Sequence, residues 1–338
     1  MSSVQAPGPV WVLGAGLVGT YLGGRLALAG CQVHFIGRRS FGETLAAHGL
    51  TLTDLDGFQG RLDTVSWHTT LPAEGEPALV LLCVKSADTA GAARQLAERL
   101  KGGSRVLSFQ NGVDNMGTLR ANAPELIAVA GMVPFNVSQP APGRLHQGTS
   151  GALLADNDAS LQAWQGVFSR AGLPLHLRDD MAAVQWAKLL LNLNNPINAL
   201  SGLPLREQLL DRDWRACTAA LMEEALAVLD RAGQSLARLT PLPPAALPTL
   251  LRTHNWLFRR AAARMLRIDA QARSSMADDV ARGRVPEIDA LCGAVVRLGR
   301  RVGVATPRNA LMVSAFLSTE RPQRSAQAWR RTLESALS

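Results

Sequence analysis

Two domains of different class are expected from the sequence: an N-terminal α/β domain over residues 1–179, then an all-α domain over residues 180–338. Three observations carry this expectation. A short apolar run, Val10-Trp-Val-Leu13, leads directly into Gly14-Ala-Gly-Leu-Val-Gly19 and a small-residue helical stretch. Further apolar runs at 77–84, 104–109 and 126–134 end in polar loops and alternate with helical patterns, as in a parallel sheet covered by helices. After Asp179-Asp180, a good pair for starting a helix, strand signals stop and helical periodicity continues to the end.

The first segment is the most specific. In a strand, glycine turn, helix unit, Gly14 permits the tight turn and Gly16 lets a pyrophosphate approach the backbone. Gly19 lets the helix lie close to the strand, and the N–H groups of the first turn, at Leu17 and Val18, face the anion. This is the arrangement of a Rossmann-type dinucleotide-binding domain; an ordinary glycine-rich turn is the alternative. The second strand, 32–36, is followed by Gly37-Arg38-Arg39-Ser40. An acidic residue there would accept from the ribose 2′-hydroxyl of NAD, whereas a guanidinium such as that of Arg38 suits the 2′-phosphate of NADP.

Residues 49–53 and 62–67 read as β segments around the turn Asp54-Leu-Asp-Gly57, a hairpin or edge insertion. The run 77–84 is a buried strand ending at Lys85, and 104–109 ends at Gln110-Asn-Gly112. Lys85 and Asn111 thus stand at carboxyl ends of parallel strands, where open α/β sheets bind ligands. A strand at 126–134, β structure across 143–155, a helix at 159–171 and a strand at 173–177 complete the first domain.

The second domain opens on a stretch that needs explaining. From Trp186 to Leu200 a lone ammonium and several carboxamides interrupt a leucine-rich helix. Lys188, Asn192 and Asn195 fall at i, i+4 and i+7 and would share one helical face, and Pro196 should kink the helix near Asn192. A lysine so placed either snorkels to the surface or works as an acid or base. A long helix at 212–232, a proline-rich connector at 240–248 and a basic amphipathic helix at 250–266 follow. Ser275 and Asp278 resemble a capping box, and a further helix is expected to begin at Pro286-Glu-Ile-Asp289 with Ile288, Leu291, Val295, Leu298 and Val302 as its core stripe. On their residues alone, Ser275 and Glu287 read as helix caps.

With 47% hydrophobic and 18% charged residues, the 338-residue chain has enough apolar material for two cores and is not expected to be disordered. It shows no secretory n-region and no apolar run of membrane-spanning length, so a cytoplasmic protein without membrane contact is expected. Four scattered cysteines without C-x-x-C point to reduced core residues and no metal site. The net charge of +8 resides from Arg252 onward, where 16 arginines face 7 acidic residues as isolated charges on amphipathic patterns. That distribution suits a solvated face or the field around an anionic substrate better than a nucleic-acid groove. Only three of the 35 basic residues are lysines, Lys85, Lys101 and Lys188, so a retained ammonium hints that a guanidinium would not serve.

In this order, Gly14-Ala-Gly-Leu-Val-Gly19, Cys83-Val-Lys-Ser86, Gln110-Asn-Gly-Val113, Lys188-Leu-Leu-Leu-Asn192, and Ser274-Ser-Met276 with Pro286-Glu-Ile-Asp289, the chain resembles the ketopantoate reductase family over roughly residues 8–315. The resemblance implies a Rossmann-type domain followed by an all-α, 6-phosphogluconate-dehydrogenase-like domain, with the active site between them. It implies NADPH as cofactor and a small 2-oxo acid, ketopantoate, as substrate. By the same resemblance hydride would go to C2, Lys188 would be the general acid, and Glu287 would be the substrate-orienting carboxylate. Ser275 and Asn192 would contact substrate, Asn111 would lie near the nicotinamide ribose and the substrate, and Arg38 and Lys85 would hold the adenosine phosphate end. Where the resemblance implies a second helix asparagine eight residues after the lysine, this chain has Pro196; Asn194, Asn195 and Asn198 are the available substitutes. A reductase of another 2-oxo acid and a non-catalytic NADP-binding regulatory protein are the alternatives. A homodimer is compatible with all of them.

Overall fold

The computed structural model describes residues 6–263, 272–318 and 324–336, and the chain divides into two units, Met1–Met181 and Ala182–Ser338. In the first unit the elements run β1 (Val10–Leu13), α1 (Leu17–Leu28), β2 (Val33–Ile36), α2 (Arg39–His48), β3 (Leu50–Asp54), β4 (Gln59–Leu62), β5 (Ser66–His68) and β6 (Leu79–Leu82). They continue as α3 (Thr89–Arg99), β7 (Arg105–Ser108), α4 (Asn115–Asn122), β8 (Ile127–Met132), β9 (Val137–Ala141), β10 (Arg144–Gln147), β11 (Leu153–Asp156), α5 (Gln162–Arg170) and β12 (Leu175–Arg178).

The main sheet has the order β12-β11-β8-β7-β6-β1-β2-β5. From β8 to β5 every pairing is parallel, and only β11 runs against its neighbour β8. All four residues of β1 and of β6 are buried, because parallel strands covered on both faces read as continuous apolar runs rather than alternating ones. A second sheet, β4-β3-β10-β9, lies in the same unit.

The hairpin expected around residues 54–57 is present as β3 and β4, closed by Asp54 Oδ1, which accepts from the backbone N–H groups of Asp56 and Phe58 at 2.9 and 2.8 Å. Arg25 of α1 fastens it to the body of the unit. Its guanidinium, 5% exposed, donates to Asp54 at 3.1 Å, to the Tyr21 hydroxyl at 2.9 Å and to the Ala171 carbonyl at 2.8 Å, and lies 3.6 Å from the Phe58 ring centre. The stretch 62–67, expected as one segment, is shared between two sheets: β4 ends at Leu62, and β5 joins the edge of the main sheet beside β2. Trp67 accounts for the switch, stacking on Phe35 at 6.1 Å and meeting Phe41 edge-on. Strand β9 was not expected. It contains Pro140 and shows little burial, signals that argue against a strand unless it lies on an edge, which is where it sits.

The second unit contains α6 (Met181–Asn192), α7 (Asn194–Ser201), α8 (Leu205–Leu210), α9 (Arg212–Arg231), α10 (Leu247–Arg252), α11 (Asn255–Ala261), α12 (Ser275–Ala281), α13 (Ala294–Val302), α14 (Pro307–Leu317) and α15 (Ala326–Ser335). Helix α9 is its core and packs against α7, α8, α10, α13, α14 and α15. Asp211 caps it, accepting from the N–H groups of Asp213 and Trp214. Glu224, buried on α9, caps α14 from outside: its carboxylate accepts from the N–H groups of Arg308 and Asn309 at 2.9 and 2.8 Å, where Thr306 supplies no side-chain cap.

Two expectations are corrected. The basic helix foreseen at 250–266 is two short helices, α10 and α11, separated by an extended Thr253, and residues 264–266 lie outside the described residues. The break follows from buried Arg215, which takes the carbonyls of Leu251 and Thr253 at 3.0 and 2.8 Å and so competes with a continuous helix. The helix foreseen to start at Pro286 begins at Ile288, and its first turn is a π-turn, Asp289–Gly293, leading into α13. Ile288, Leu291, Val295 and Leu298 are buried as the stripe required. Among the described residues no helix is long and apolar enough to cross a membrane.

Candidate functional site

The three glycines of the β1–α1 turn do different work. Gly14 has φ +87°, and a Cβ there would collide with the backbone of Cys83 and Val84 at the end of β6. A Cβ on Gly19 would stand 2.8 Å from the Gly14 carbonyl and 3.0 Å from both Cys83 Cβ and Val12 Cγ1, so this glycine sets the close approach of α1 to β1 and β6. Gly16 is exposed, and a Cβ on it would meet nothing nearer than 3.9 Å. The fold itself therefore leaves room over Gly16. Gly16 is also the N-cap of α1 and offers no side-chain cap, so the helix begins at Leu17 and Val18 with its positive end open to an anion. This is the geometry of a dinucleotide-binding turn. Burial pushes the neighbouring Cys83 thiol up to about 12, which keeps it protonated near neutrality.

Strands β7, β6, β1 and β2 are consecutive in the sheet, so Asn111, Lys85, the glycine turn and Arg38 are brought to one carboxyl edge. Arg38 is exposed at the start of α2, and the N–H groups of Gly14 and Ala15 both donate to the Ile36 carbonyl, fixing the turn against the end of β2. Lys85 follows β6 and begins a single 3₁₀ turn, Ser86–Asp88. Sequence reasoning missed what joins the loops carrying Lys85 and Asn111. Gln110 is 7% exposed and its amide donates to the Val84 carbonyl at 3.0 Å and to Thr89 Oγ1 at 2.7 Å, while its oxygen accepts from the Ser108 hydroxyl at 2.9 Å. The Thr89 hydroxyl donates to Asn115 Oδ1 at 3.1 Å, Asn115 donates to the Asn111 carbonyl, and the Ser86 hydroxyl donates to that same carbonyl at 2.7 Å. The available signal was a glutamine directly after an apolar strand run, where a solvated side chain was the ordinary reading.

In the second unit, α6 and α7 are separated at Leu193, so the face expected to align Lys188, Asn192 and Asn195 is interrupted between the last two. Pro196, the third residue of α7, has no N–H to offer the Asn192 carbonyl, which is the physical reason for the break. Lys188 is partly buried among leucines, and burial pulls its pKa from 10.5 down to about 8. An ammonium so displaced is a stronger proton donor than an exposed lysine.

The structure sorts the three asparagines of α7. Asn194 exchanges hydrogen bonds with Gln208 at 3.2 and 3.0 Å and accepts from Thr218 at 2.9 Å. Asn198, fully buried, donates to the Leu203 carbonyl at 3.0 Å and accepts from the Ser274 N–H at 2.9 Å. Both are engaged within the fold, whereas Asn195 is partly exposed. The cap of α12 is Ser274, accepting from the Ala277 N–H at 3.1 Å, and not the Ser275–Asp278 pair foreseen; in a serine doublet the sequence does not reveal which member turns inward. Ser275 is thereby exposed beside α7, to which Ser274 donates at the Asn195 carbonyl. Glu287 lies in the segment before Ile288, outside the helical turn it was expected to cap.

Residues 10–157 match the family model described as ketopantoate reductase PanE/ApbA, and residues 180–319 match its C-terminal counterpart. A 2-dehydropantoate 2-reductase of Halobacterium salinarum is 30% identical over 304 residues, spanning 88% of this chain and 94% of that protein. The crystal structure of a PanE/ApbA family ketopantoate reductase from Ralstonia eutropha JMP134 superposes with a TM-score of 0.77 at 30% identity, covering 96% of this chain and 99% of the other. A D-mandelate dehydrogenase solved with NADH and anilino(oxo)acetate shares the fold, with a TM-score of 0.76 at 18% identity over 96% of this chain and 99% of its own. The chain is an oxidoreductase and belongs to the ketopantoate reductase family.

Proposed function

We propose that this protein reduces 2-dehydropantoate to pantoate with NADPH, Lys188 acting as general acid. The observation that carries the reading is Lys188 itself, one of three lysines in the chain, set in a leucine-rich helix and brought by burial to a pKa of about 8. Gly14, Gly16, Leu17, Val18 and Gly19 would hold the pyrophosphate, Arg38 and Lys85 the adenosine phosphate end, and Asn111 the region of the nicotinamide ribose. The open space over Gly16 and the uncapped start of α1 fit such a group. Once bound, the reduced nicotinamide supplies the hydride.

The protein's share of the reaction is to hold the 2-oxo acid and to provide the proton. The ammonium of Lys188 donates a hydrogen bond to the C2 oxygen and transfers its proton there as negative charge develops. Asn192, Asn195 and Ser275 bind the substrate as neutral donors and acceptors, and Glu287 orients it by accepting from a hydroxyl. No member of this set is a metal ligand cluster, and among the described residues none is present elsewhere.

A panel of 2-oxo acids with NADPH oxidation followed spectrophotometrically tests the reading: 2-dehydropantoate is expected to show the highest kcat/KM. A second reading, reduction of a different 2-oxo acid, is favoured by Pro196, which is buried and has no donor or acceptor side chain at the position eight residues after Lys188. Preference for an apolar 2-oxo acid by about tenfold or more would select it, since a polar subsite and an apolar one differ by at least that factor. Absence of turnover with every acid would refute reductase function.

For the cofactor, NADPH is expected to bind about tenfold or more tightly than NADH, because a guanidinium and a phosphate form charge-assisted bonds. Arg38→Ala should narrow that gap without altering Tm, Arg38 being exposed. Equal affinities in the unmodified protein would sink the 2′-phosphate assignment.

A further inference from the structure

We propose that Gln110 and Thr89 are positioning residues which set the spacing between the loop carrying Lys85 and the loop carrying Asn111; the proposal rests on the reading of those two residues as cofactor contacts. The hydrogen bonds form a closed path from the Val84 carbonyl through Gln110, Thr89 and Asn115 to the Asn111 carbonyl, and Ser86 returns to that same carbonyl. Its ends therefore fall on Val84 and Ser86, the two neighbours of Lys85, and on Asn111 itself. Thr89 is fully buried, Asn115 is 5% exposed and Gln110 is 7% exposed, so water does not substitute for a missing partner without cost.

The direction of each bond is dictated by chemistry. Gln110 commits both amide hydrogens and its oxygen, and Thr89 both accepts from Gln110 and donates to Asn115. Each of these groups is neutral and none titrates near neutrality, so the spacing they impose is independent of pH. Val84 is held from its other side as well, since its backbone lies against Gly14. The path thereby ties the glycine turn, Lys85 and Asn111 into one frame on three adjacent strands. A frame of this kind acts on ligand affinity because contacting groups that must first be ordered weaken binding by the cost of that ordering.

The test uses the full-length protein and compares Thr89→Val, Thr89→Ser and Gln110→Met at a temperature well below every Tm. Thr89→Val removes the hydroxyl at nearly constant shape, and Thr89→Ser keeps it. Thr89→Val and Gln110→Met are expected to raise the Kd for NADPH about tenfold, while Thr89→Ser stays within about twofold of the unmodified protein. The 2-oxo acid kcat at saturating NADPH should fall far less than affinity does, a split that loss of folded protein cannot produce. NADPH binding by Thr89→Val within about twofold of Thr89→Ser would overturn the proposal, whatever the change in Tm, and so would equal impairment of the two. Should Gln110→Met fail to fold, the Thr89 pair decides alone. If the unmodified protein did not bind NADPH, the cofactor reading of Lys85 and Asn111 would fail first, and this proposal with it.

Discussion

Lys188→Ala is expected to lower kcat for 2-oxo acid reduction by about 10²–10⁴, the contribution of a positioned general acid, while leaving NADPH affinity within about twofold. The sign of the pH dependence follows from burial. Because the ammonium has a pKa of about 8 and must be protonated to act, reduction should slow as pH rises through that value. The reverse oxidation, which needs the neutral amine as base, should accelerate over the same interval. Lys188→Arg is the sharper variant: it keeps the charge and its hydrogen bonds but holds its proton far above neutrality. It should bind the 2-oxo acid yet turn over slowly, with the inflection near pH 8 gone. Unchanged turnover in Lys188→Ala, or an inflection that persists in Lys188→Arg, would mean that another group supplies the proton.

The second large effect concerns stability. Arg215 is fully buried on α9, and its guanidinium donates to the carbonyls of Leu251, Leu209 and Thr253 and to Asn255 Oδ1 at 2.8–3.0 Å, with its plane 4.1 Å from the Phe258 ring centre. Burial pulls its pKa below the usual arginine value, yet four acceptors remain to hold the charge. Arg215→Met leaves those acceptors without donors in the interior and should cost about 3–5 kcal/mol, read from chemical denaturation. Arg215→Lys is not expected to rescue, because one compact ammonium cannot reach carbonyls spread around a planar fork. A loss below about 1 kcal/mol for Arg215→Met would show that water or a repacked loop satisfies those carbonyls instead.

Much of the first unit could be read directly from the residues. Apolar runs that end in polar loops marked β1, β6, β7 and β8, and the spacing foretold the tight turn at Gly14 and the close approach of α1 at Gly19. The misreadings share one cause, which is competition settled by distant partners. Arg215 interrupts the helix foreseen at 250–266 from a position more than thirty residues earlier in the chain. Ser274 rather than Ser275 turns inward because Asn198 holds its N–H. Thr89 meets Gln110 and Asn115 across more than twenty residues, so local pattern could not single these polar residues out. Pro140 disguised β9 because its edge location is a property of the whole sheet.

Asn198 has a consequence for how this protein can change its substrate. By bonding at once to the chain leaving α7 and to the first turn of α12, it makes the backbone beneath Asn195 and Ser275 a single piece. On the proposed reading of Asn195 and Ser275 as substrate contacts, neither can drift to suit a larger or smaller acid without tearing a fully buried carboxamide from both its partners. New preferences must then arise by exchanging side chains on a stationary scaffold. Directed evolution toward other acids should accumulate replacements at Asn195, Pro196 and Ser275, with Asn198 untouched in every active lineage.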